Sequence, residues 1–382
     1  MPTGEVVVTG FGVRTAFGRG ADAIRRGVFG GVPPFAPTGR FDTGPYRTPF
    51  AATTGGDKPD ALRDVLGECA DEAVEMAGFT AGEDTAVLVG TAGDFAALTR
   101  FRRGEAGVEV ADTVPARLAD LLATRLGATG QRLAFTNACV ASATAIVHAC
   151  QQIASGRLES AVCAGAYLVE EENFAKFDSG RALSRGGVIR PFSADRDGLL
   201  LGDGAAAVVL ESASAARRRG ARPLAIVAGW GAASDAHHIA RPHPEGAGLA
   251  AAATRALRRA GDPDGLRVDY VNAHGTATKH NDPAETRGLR AVFGTRADRV
   301  PVSSTKGTTG HLLEAAGVVE FVITLLALTD GVLPPTANFT GPDPDCDLDV
   351  VPNRRRGADV RRALSVNAAF GGANTALVLE RP

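Results

Sequence analysis

Cys139 stands in the run Phe135-Thr136-Asn137-Ala138-Cys139-Val140-Ala141-Ser142, where strand-like residues from Leu133 to Phe135 give way to an Ala-rich helical segment. A thiol at a strand-to-helix turn meets unpaired amide N–H groups and the positive end of the helix dipole. Both stabilise thiolate, so the position predicts a nucleophile. Two later segments carry histidines that could serve it: Asn272-Ala273-His274-Gly275-Thr276 and Lys306-Gly307-Thr308-Thr309-Gly310-His311. The combination points to thioester chemistry.

Other residue clusters read differently. Arg190-Pro191-Phe192-Ser193-Ala194-Asp195-Arg196-Asp197-Gly198 followed by Gly202-Asp203-Gly204-Ala205 is rich in Gly and Asp but lacks the GxxxxGK[ST] order. Tight turns with buried carboxylates explain it better than phosphate binding. In Asn367-Ala368-Ala369-Phe370-Gly371-Gly372-Ala373-Asn374, paired glycines fall between two strand-like runs, where backbone must approach something closely, as an oxyanion site requires. Cys69, Cys150, Cys163, Cys346 and His148 read as packed core. Asp235, His237 and His238 have the composition of a metal or base site, but no metal is required by the chemistry above.

The elements that position these residues alternate along the chain. Strands are predicted at Glu5 to Thr9, Thr85 to Gly90, Ser160 to Ala164, Ala205 to Glu211, Ala225 to Trp230, Tyr270 to Ala273, Val300 to Ser303 and Ala376 to Glu380. Helices are predicted at Pro59 to Ala77, Val114 to Leu126, Ala141 to Ser155, Gly248 to Ala260, Pro283 to Phe293 and His311 to Leu328. Such alternation predicts an α/β protein with helices layered on buried sheets. The polar run Arg217-Arg218-Arg219-Gly220 is the best seam between two halves, 1–219 and 220–382.

Composition narrows the setting. The chain has 382 residues, 45% of them hydrophobic, enough for a large core. A formal net charge of -2 gives no general attraction to nucleic acid or an anionic membrane. Five cysteines without CxxC spacing suggest neither a disulfide framework nor a zinc site. No secretory signal or membrane-length apolar stretch is seen, so a cytoplasmic location is expected.

The ordered set of motifs resembles the β-ketoacyl-[acyl carrier protein] synthases, the elongating type II ketosynthases of the thiolase-like superfamily. The match runs from Val6-Val7-Val8-Thr9-Gly10-Phe11-Gly12-Val13 through the Cys139 turn and Arg196-Asp197-Gly198 to His274-Gly275-Thr276-Ala277-Thr278. It continues in Ser304-Thr305-Lys306 with Gly310-His311, and in Phe370-Gly371-Gly372. The resemblance implies a thiolase-like fold of two similar halves in a five-layer α-β-α-β-α arrangement. It implies a decarboxylative Claisen condensation of a Cys139-bound acyl group with malonyl-[acyl carrier protein]. It also implies a dimer, homodimer or heterodimer with a second, chain-length subunit. No cofactor of its own is expected, because the carrier protein supplies the phosphopantetheine arm.

The same resemblance assigns roles. Cys139 accepts the acyl group, while His274 and His311 hold the thioester oxygen of the malonyl unit as carboxylate leaves. Lys306 pairs with Glu320 and orients the histidine site. The amides of Cys139 and Phe370 form an oxyanion hole, Thr276 and Thr278 bind the pantetheine amides, and Ala368, Ala369 and Phe370 form the gate. Some positions depart from the family pattern. Ala368 replaces a second gate phenylalanine and Ala369 a glycine. The chain is short between Gly90 and Gln131, where dimer-contact and acyl-pocket elements are expected. Val140 and Glu170-Glu171-Glu172 are unusual too. These changes suit specialised polyketide or polyene biosynthesis. A structural chain-length partner or a non-decarboxylating acyltransferase are the alternatives, but the first characteristically lacks the nucleophile and the second a catalytic histidine.

Overall fold

Strand alternation sorts the apolar residues of this chain onto two faces of each sheet. The computed structural model describes residues 4–54 and 61–382. The strands on the main path of its large sheet are β1 (Val6–Thr15), β2 (Thr85–Gly90), β3 (Arg132–Phe135), β4 (Ser160–Tyr167), β5 (Gly204–Ser212), β6 (Ala225–Ser234), β7 (Tyr270–Asn272), β8 (Pro301–Ser303), β9 (Asp349–Val350), β10 (Arg362–Ala368) and β11 (Ala373–Glu380). In β2, Ala86 and Leu88 point to one core cluster while Val87 and Val89 point to another. In β10, Ala363 and Leu364 divide the same way between the central cluster and a third one. Period-two burial on both faces is what a sheet covered by helices on each side requires.

The strand order is β9-β8-β7-β10-β11-β6-β1-β5-β4-β2-β3. β1, β5 and β4 pair antiparallel, and β4, β2 and β3 parallel. β6, β11 and β10 pair antiparallel, and β10, β7 and β8 parallel. The first five strands and their later counterparts therefore follow one order, with β9 added at the far edge. A short antiparallel contact of Val6 to Val8 with Ala225 to Val227 joins the two sets.

Helices α1 (Leu62–Ala77) and α2 (Pro115–Leu126) cover the outer face of the first set. α4 (Ala247–Arg259) and α5 (Asn281–Phe293) cover that of the second. Between the sets lie α3 (Ala141–Ala154) and α6 (Ala316–Asp330), packed on each other. α6 is buried on every side from Ala316 to Leu328, which its uniformly apolar sequence demands of a central helix. A Cβ on Gly317 would meet the Ala143 amide at 2.6 Å, so glycine there permits the close helix approach. The layers are α-β-α-β-α.

Most predicted elements are present, with some corrections. The predicted start of α1 at Pro59 lies outside the described residues. His311 is not in a helix: it bridges to Leu201, and α6 begins only at Ala316. The left-handed conformations of Gly310 (φ 76°) and Leu313 (φ 44°) prevent a continuous helix there. β10 is the strand-like run that precedes the paired glycines, to which the sequence gives no bounds. The Gly/Asp-rich run forms turns as expected: Asp197 accepts bonds from Ser184 Oγ at 2.6 Å and the amides of Arg185 and Gly186. Asp203 is buried and paired with Arg40 at 2.6 Å.

Candidate active site

Each reactive side chain is placed by a turn that follows a strand. After β3, Ala138 takes a left-handed conformation (φ 54°), and a one-turn helix, Ala138–Val140, leads directly into α3. Gly90 at the end of β2 leaves room for this junction, since a Cβ there would stand 2.2 Å from the Ser142 amide. Ser142 Oγ accepts a bond from the Val318 amide at 3.0 Å, tying the cysteine helix to α6 and so to the His311 segment. His311 is held by its own amide on Leu200 O at 2.8 Å and by the Gly202 amide on His311 O at 3.2 Å.

These constraints bring His311 Nε2 to 3.1 Å from Cys139 Sγ. The His274 ring lies against His311, with ring centres 5.4 Å apart and planes at 83°. His274 follows β7 on a turn that Glu285 of α5 holds through the His274 amide at 2.6 Å and the Gly275 amide at 2.7 Å. Ser304 Oγ adds a bond to Gly275 O at 2.6 Å. Glu285 was not among the predicted site residues. Its signal was a carboxylate one helical turn into the helix after a His-Gly turn, and only the fold shows which amides it meets.

Burial sets the electrostatics. Both rings are kept neutral, pushed well below the usual histidine range first by desolvation and then by the Lys306 charge. Lys306 is fully buried and pairs with Glu320, whose other oxygen accepts a bond from Asn367 Nδ2. The Cys139 thiol is pushed up to about 12, chiefly by burial and secondly by the Glu314 charge. Desolvation outweighs the opposing pull of Lys306 and of the cysteine's own amide, a balance that runs against the thiolate expected at a helix terminus.

Cys139, His274 and His311 line one cavity of about 1070 Å³, its open mouth included, together with Thr276, Thr278, Ala368, Ala369 and Phe370. Thr276 Oγ1 and Thr278 Oγ1 lie 2.9 Å apart on its wall. The Phe370 amide has no hydrogen-bond acceptor among the described residues, and Phe370 itself is 51% exposed. Lys306 and Glu320 stand behind the cavity, not on it. Asp235 lies at its rim and anchors the glycine turn, its amide donating to Gly372 O at 2.8 Å. His237 packs on His243, and no group of residues fit to hold a metal occurs among the described residues. The other four cysteines are buried away from the cavity. Phe177 was also missed in the sequence. It stacks on Phe370 with ring centres 5.7 Å apart and also meets the His311 ring. Nothing in its short helix, Glu171–Ser179, distinguished it from an ordinary packing face.

A buried thiol beside two neutral imidazoles, at the junction of two sheet-and-helix halves, defines a thioester-handling acyltransferase. Residues 57–216 match the beta-ketoacyl synthase N-terminal domain and residues 224–340 its C-terminal domain. The chain is 33% identical to 3-oxoacyl-[acyl-carrier-protein] synthase 2 of Coxiella burnetii, over 99% of this chain and 98% of that one. It is 36% identical to the tetracenomycin polyketide synthase ketoacyl synthase alpha subunit of Streptomyces glaucescens, over 99% and 97%. Among solved structures it resembles the ishigamide ketosynthase/chain length factor, with a TM-score of 0.91, 33% identity and full coverage of both chains. The chain belongs to the beta-ketoacyl synthase family, with its thiolase-like fold and its acyltransferase chemistry of ketosynthase condensation. No helix among the described residues is long and apolar enough to cross a membrane.

Proposed function

We propose that this ketosynthase condenses a Cys139-bound acyl group with malonyl-[acyl carrier protein] to give β-ketoacyl-[acyl carrier protein], in specialised polyketide or polyene biosynthesis. The contact of His311 Nε2 with Cys139 Sγ at 3.1 Å, with His274 alongside, carries this reading. In the first half-reaction the sulfur attacks the acyl thioester carbonyl, the carrier's sulfur leaves, and the cysteine proton goes to it. The amides of Cys139 and Phe370 are assigned to the oxygen of that tetrahedral intermediate. In the second, the malonyl carboxylate leaves as carbon dioxide and the electron pair forms an enolate. N–H groups of His274 and His311 receive its oxygen, an interaction that contributes on the order of 3 kcal/mol per donor. The enolate carbon attacks the acyl carbonyl, a C–C bond forms, the C–S bond breaks, and the departing Cys139 thiolate takes a proton from solvent.

Thr276 and Thr278 receive the amides of the carrier's pantetheine arm at the cavity mouth. Ala368, Ala369 and Phe370 form the gate, with Phe177 as the second ring. We assign residues 1–219 to the half with the nucleophile and residues 220–382 to the half with the histidines, supported by the repeated strand order. The pathway reading draws on the tetracenomycin and ishigamide relatives, whose names tie them to polyketide synthesis and to a chain length factor. It gives this chain an acyl carrier protein and a second ketosynthase-like subunit, identical or not, as partners. Intact-protein mass spectrometry after exposure to a panel of acyl carrier proteins tests it. An acyl adduct on Cys139 that malonyl carrier protein discharges as β-ketoacyl product is expected. An adduct that transfers to another acceptor without loss of carbon dioxide would overturn condensation.

A further inference from the structure

The cavity that holds Cys139 does not end at the threonine pair. Arg181, Ala182, Thr278 and Lys279 line it and also line an adjoining groove of about 800 Å³, its open mouth included, whose far wall carries Arg196 and Asp197. Thr278 stands on the common wall, so a thioester arm that passes it on the way out from Cys139 leads to the groove. Arg181 sits at the junction on a left-handed turn (φ 55°), a conformation that side chains other than glycine seldom adopt. The turn closes the Glu171–Ser179 helix, with the Arg181 amide on Asp178 O and the Ala182 amide on Phe177 O, both at 2.9 Å.

Three cations against one carboxylate line the groove. The carboxylate, Asp197, is satisfied internally by Ser184 Oγ at 2.6 Å and by the amides of Arg185 and Gly186, both at 3.1 Å. Arg196 is fixed by bonds to Ser193 O at 2.9 Å and Thr278 O at 3.3 Å and by its pairing with Asp343. Arg181 and Lys279 remain: both are exposed, and neither side chain has an ion pair or hydrogen bond among the described residues. The arm of a carrier protein has a single phosphodiester where it joins the protein. Coenzyme A carries the same pantetheine and then a diphosphate and an adenosine 3′-phosphate, a long tail of several negative charges. A concave groove with surplus positive charge, in line with the threonines, suits that tail, because Arg and Lys hold phosphate oxygens through charge-assisted hydrogen bonds.

We infer that this groove binds the nucleotide end of coenzyme A, so that Cys139 is also loaded directly from an acyl-coenzyme A thioester. The step is thioester exchange: the Cys139 sulfur attacks the acyl carbonyl, the bond from that carbonyl to the coenzyme A sulfur breaks, and the Cys139 proton goes to the departing sulfur. The inference rests on the ketosynthase reading proposed above, in which Cys139 is the acyl acceptor, and adds a small-molecule donor to the carrier protein. The test is the second-order rate of Cys139 loading, followed by intact mass, for a hexanoyl chain on coenzyme A, on 3′-dephospho-coenzyme A and on 4′-phosphopantetheine, with hexanoyl-[acyl carrier protein] alongside. The coenzyme A thioester should load at least about tenfold faster than the phosphopantetheine thioester, with the dephospho form between them. Lys279→Gln and, independently, Arg181→Gln should narrow that ratio to within about threefold. The ratio is the readout because a general effect of either substitution on the cavity cancels in it. Equal wild-type loading from the coenzyme A and phosphopantetheine thioesters, or a preference that survives in both variants, would overturn the inference while leaving the ketosynthase reading intact. Variants that slow loading from the carrier protein alone would also overturn it and give the two cations to the carrier's surface. Failure of every thioester, the carrier-bound one included, to load Cys139 would overturn both.

Discussion

Burial pushes the Cys139 thiol up to about 12, so little thiolate exists at neutral pH, and His311 Nε2 lies 3.1 Å from the sulfur. The sign follows directly: below the raised pKa, the thiolate fraction grows about tenfold for each pH unit. Alkylation of Cys139 by iodoacetamide should therefore keep climbing past about pH 9, where an ordinary cysteine levels off. A plateau near pH 8 would show that the helix terminus outweighs burial after all. Cys139→Ala should abolish acyl loading and condensation with the circular-dichroism melt essentially unchanged, since one sulfur facing a cavity is lost. An adduct on Cys69, Cys150, Cys163 or Cys346 in that variant would sink the assignment. In the mechanism proposed above the histidines act later in the reaction. His311→Ala should still load Cys139 measurably but lose condensation by about a hundredfold or more, because an oxyanion donor is removed. Single-turnover measurements of the two half-reactions separate these, and equal losses would contradict the division.

At the scale of elements, the proposed gate combines the end of β10, the Gly371–Gly372 turn and the helix that carries Phe177. From the sequence, Ala368 promised an open space where a ring would normally stand. In the structure Phe177 stacks on Phe370, so the aromatic pair is built from two distant segments, and no local pattern could have announced it. The turn is legible as paired glycines, and both do take left-handed conformations, φ 85° and 80°. The Cys139 turn was legible for a related reason: a strand-like run, a break and an Ala-rich helix appear in order. The His311 turn was not, because its departure from helix depends on Leu200 and Gly202 from another part of the chain. Glu285 and Glu314 also escaped, since a carboxylate in a helical run looks like a solvated face until the fold buries it. Ala368 does line the cavity. Ala368→Phe should therefore slow extension of long or polyunsaturated acyl carriers more than short saturated ones, by overfilling that costs about 1 to 3 kcal/mol. Competition between paired short and long acyl carriers measures this, and an unchanged product ratio would move selectivity away from the gate.

Across the whole molecule, the active site needs both halves: β3 and α3 deliver the cysteine, while the turns after β7 and β8 deliver the histidines. The strand order repeats between the halves, a likeness that the residues themselves did not reveal. Topology tolerates sequence change as long as period-two burial and the glycine turns persist. The surface adds a further argument. Phe101, Val110 and Val114 are 41%, 62% and 45% exposed, and all three fall in the segment between β2 and β3. Clustered exposed apolar side chains in a chain of this family fit a subunit interface better than open water. The protein should therefore behave as a dimer at micromolar concentration, alone or with a second ketosynthase-like subunit. Val110→Asp combined with Val114→Asp should shift it to monomer, because two buried and unpaired carboxylates would oppose association. Light scattering of the wild-type and double-variant proteins, each with and without the second subunit, decides this. A wild-type chain that stays monomeric under both conditions, or a double variant that dimerises as before, would place the interface on another face.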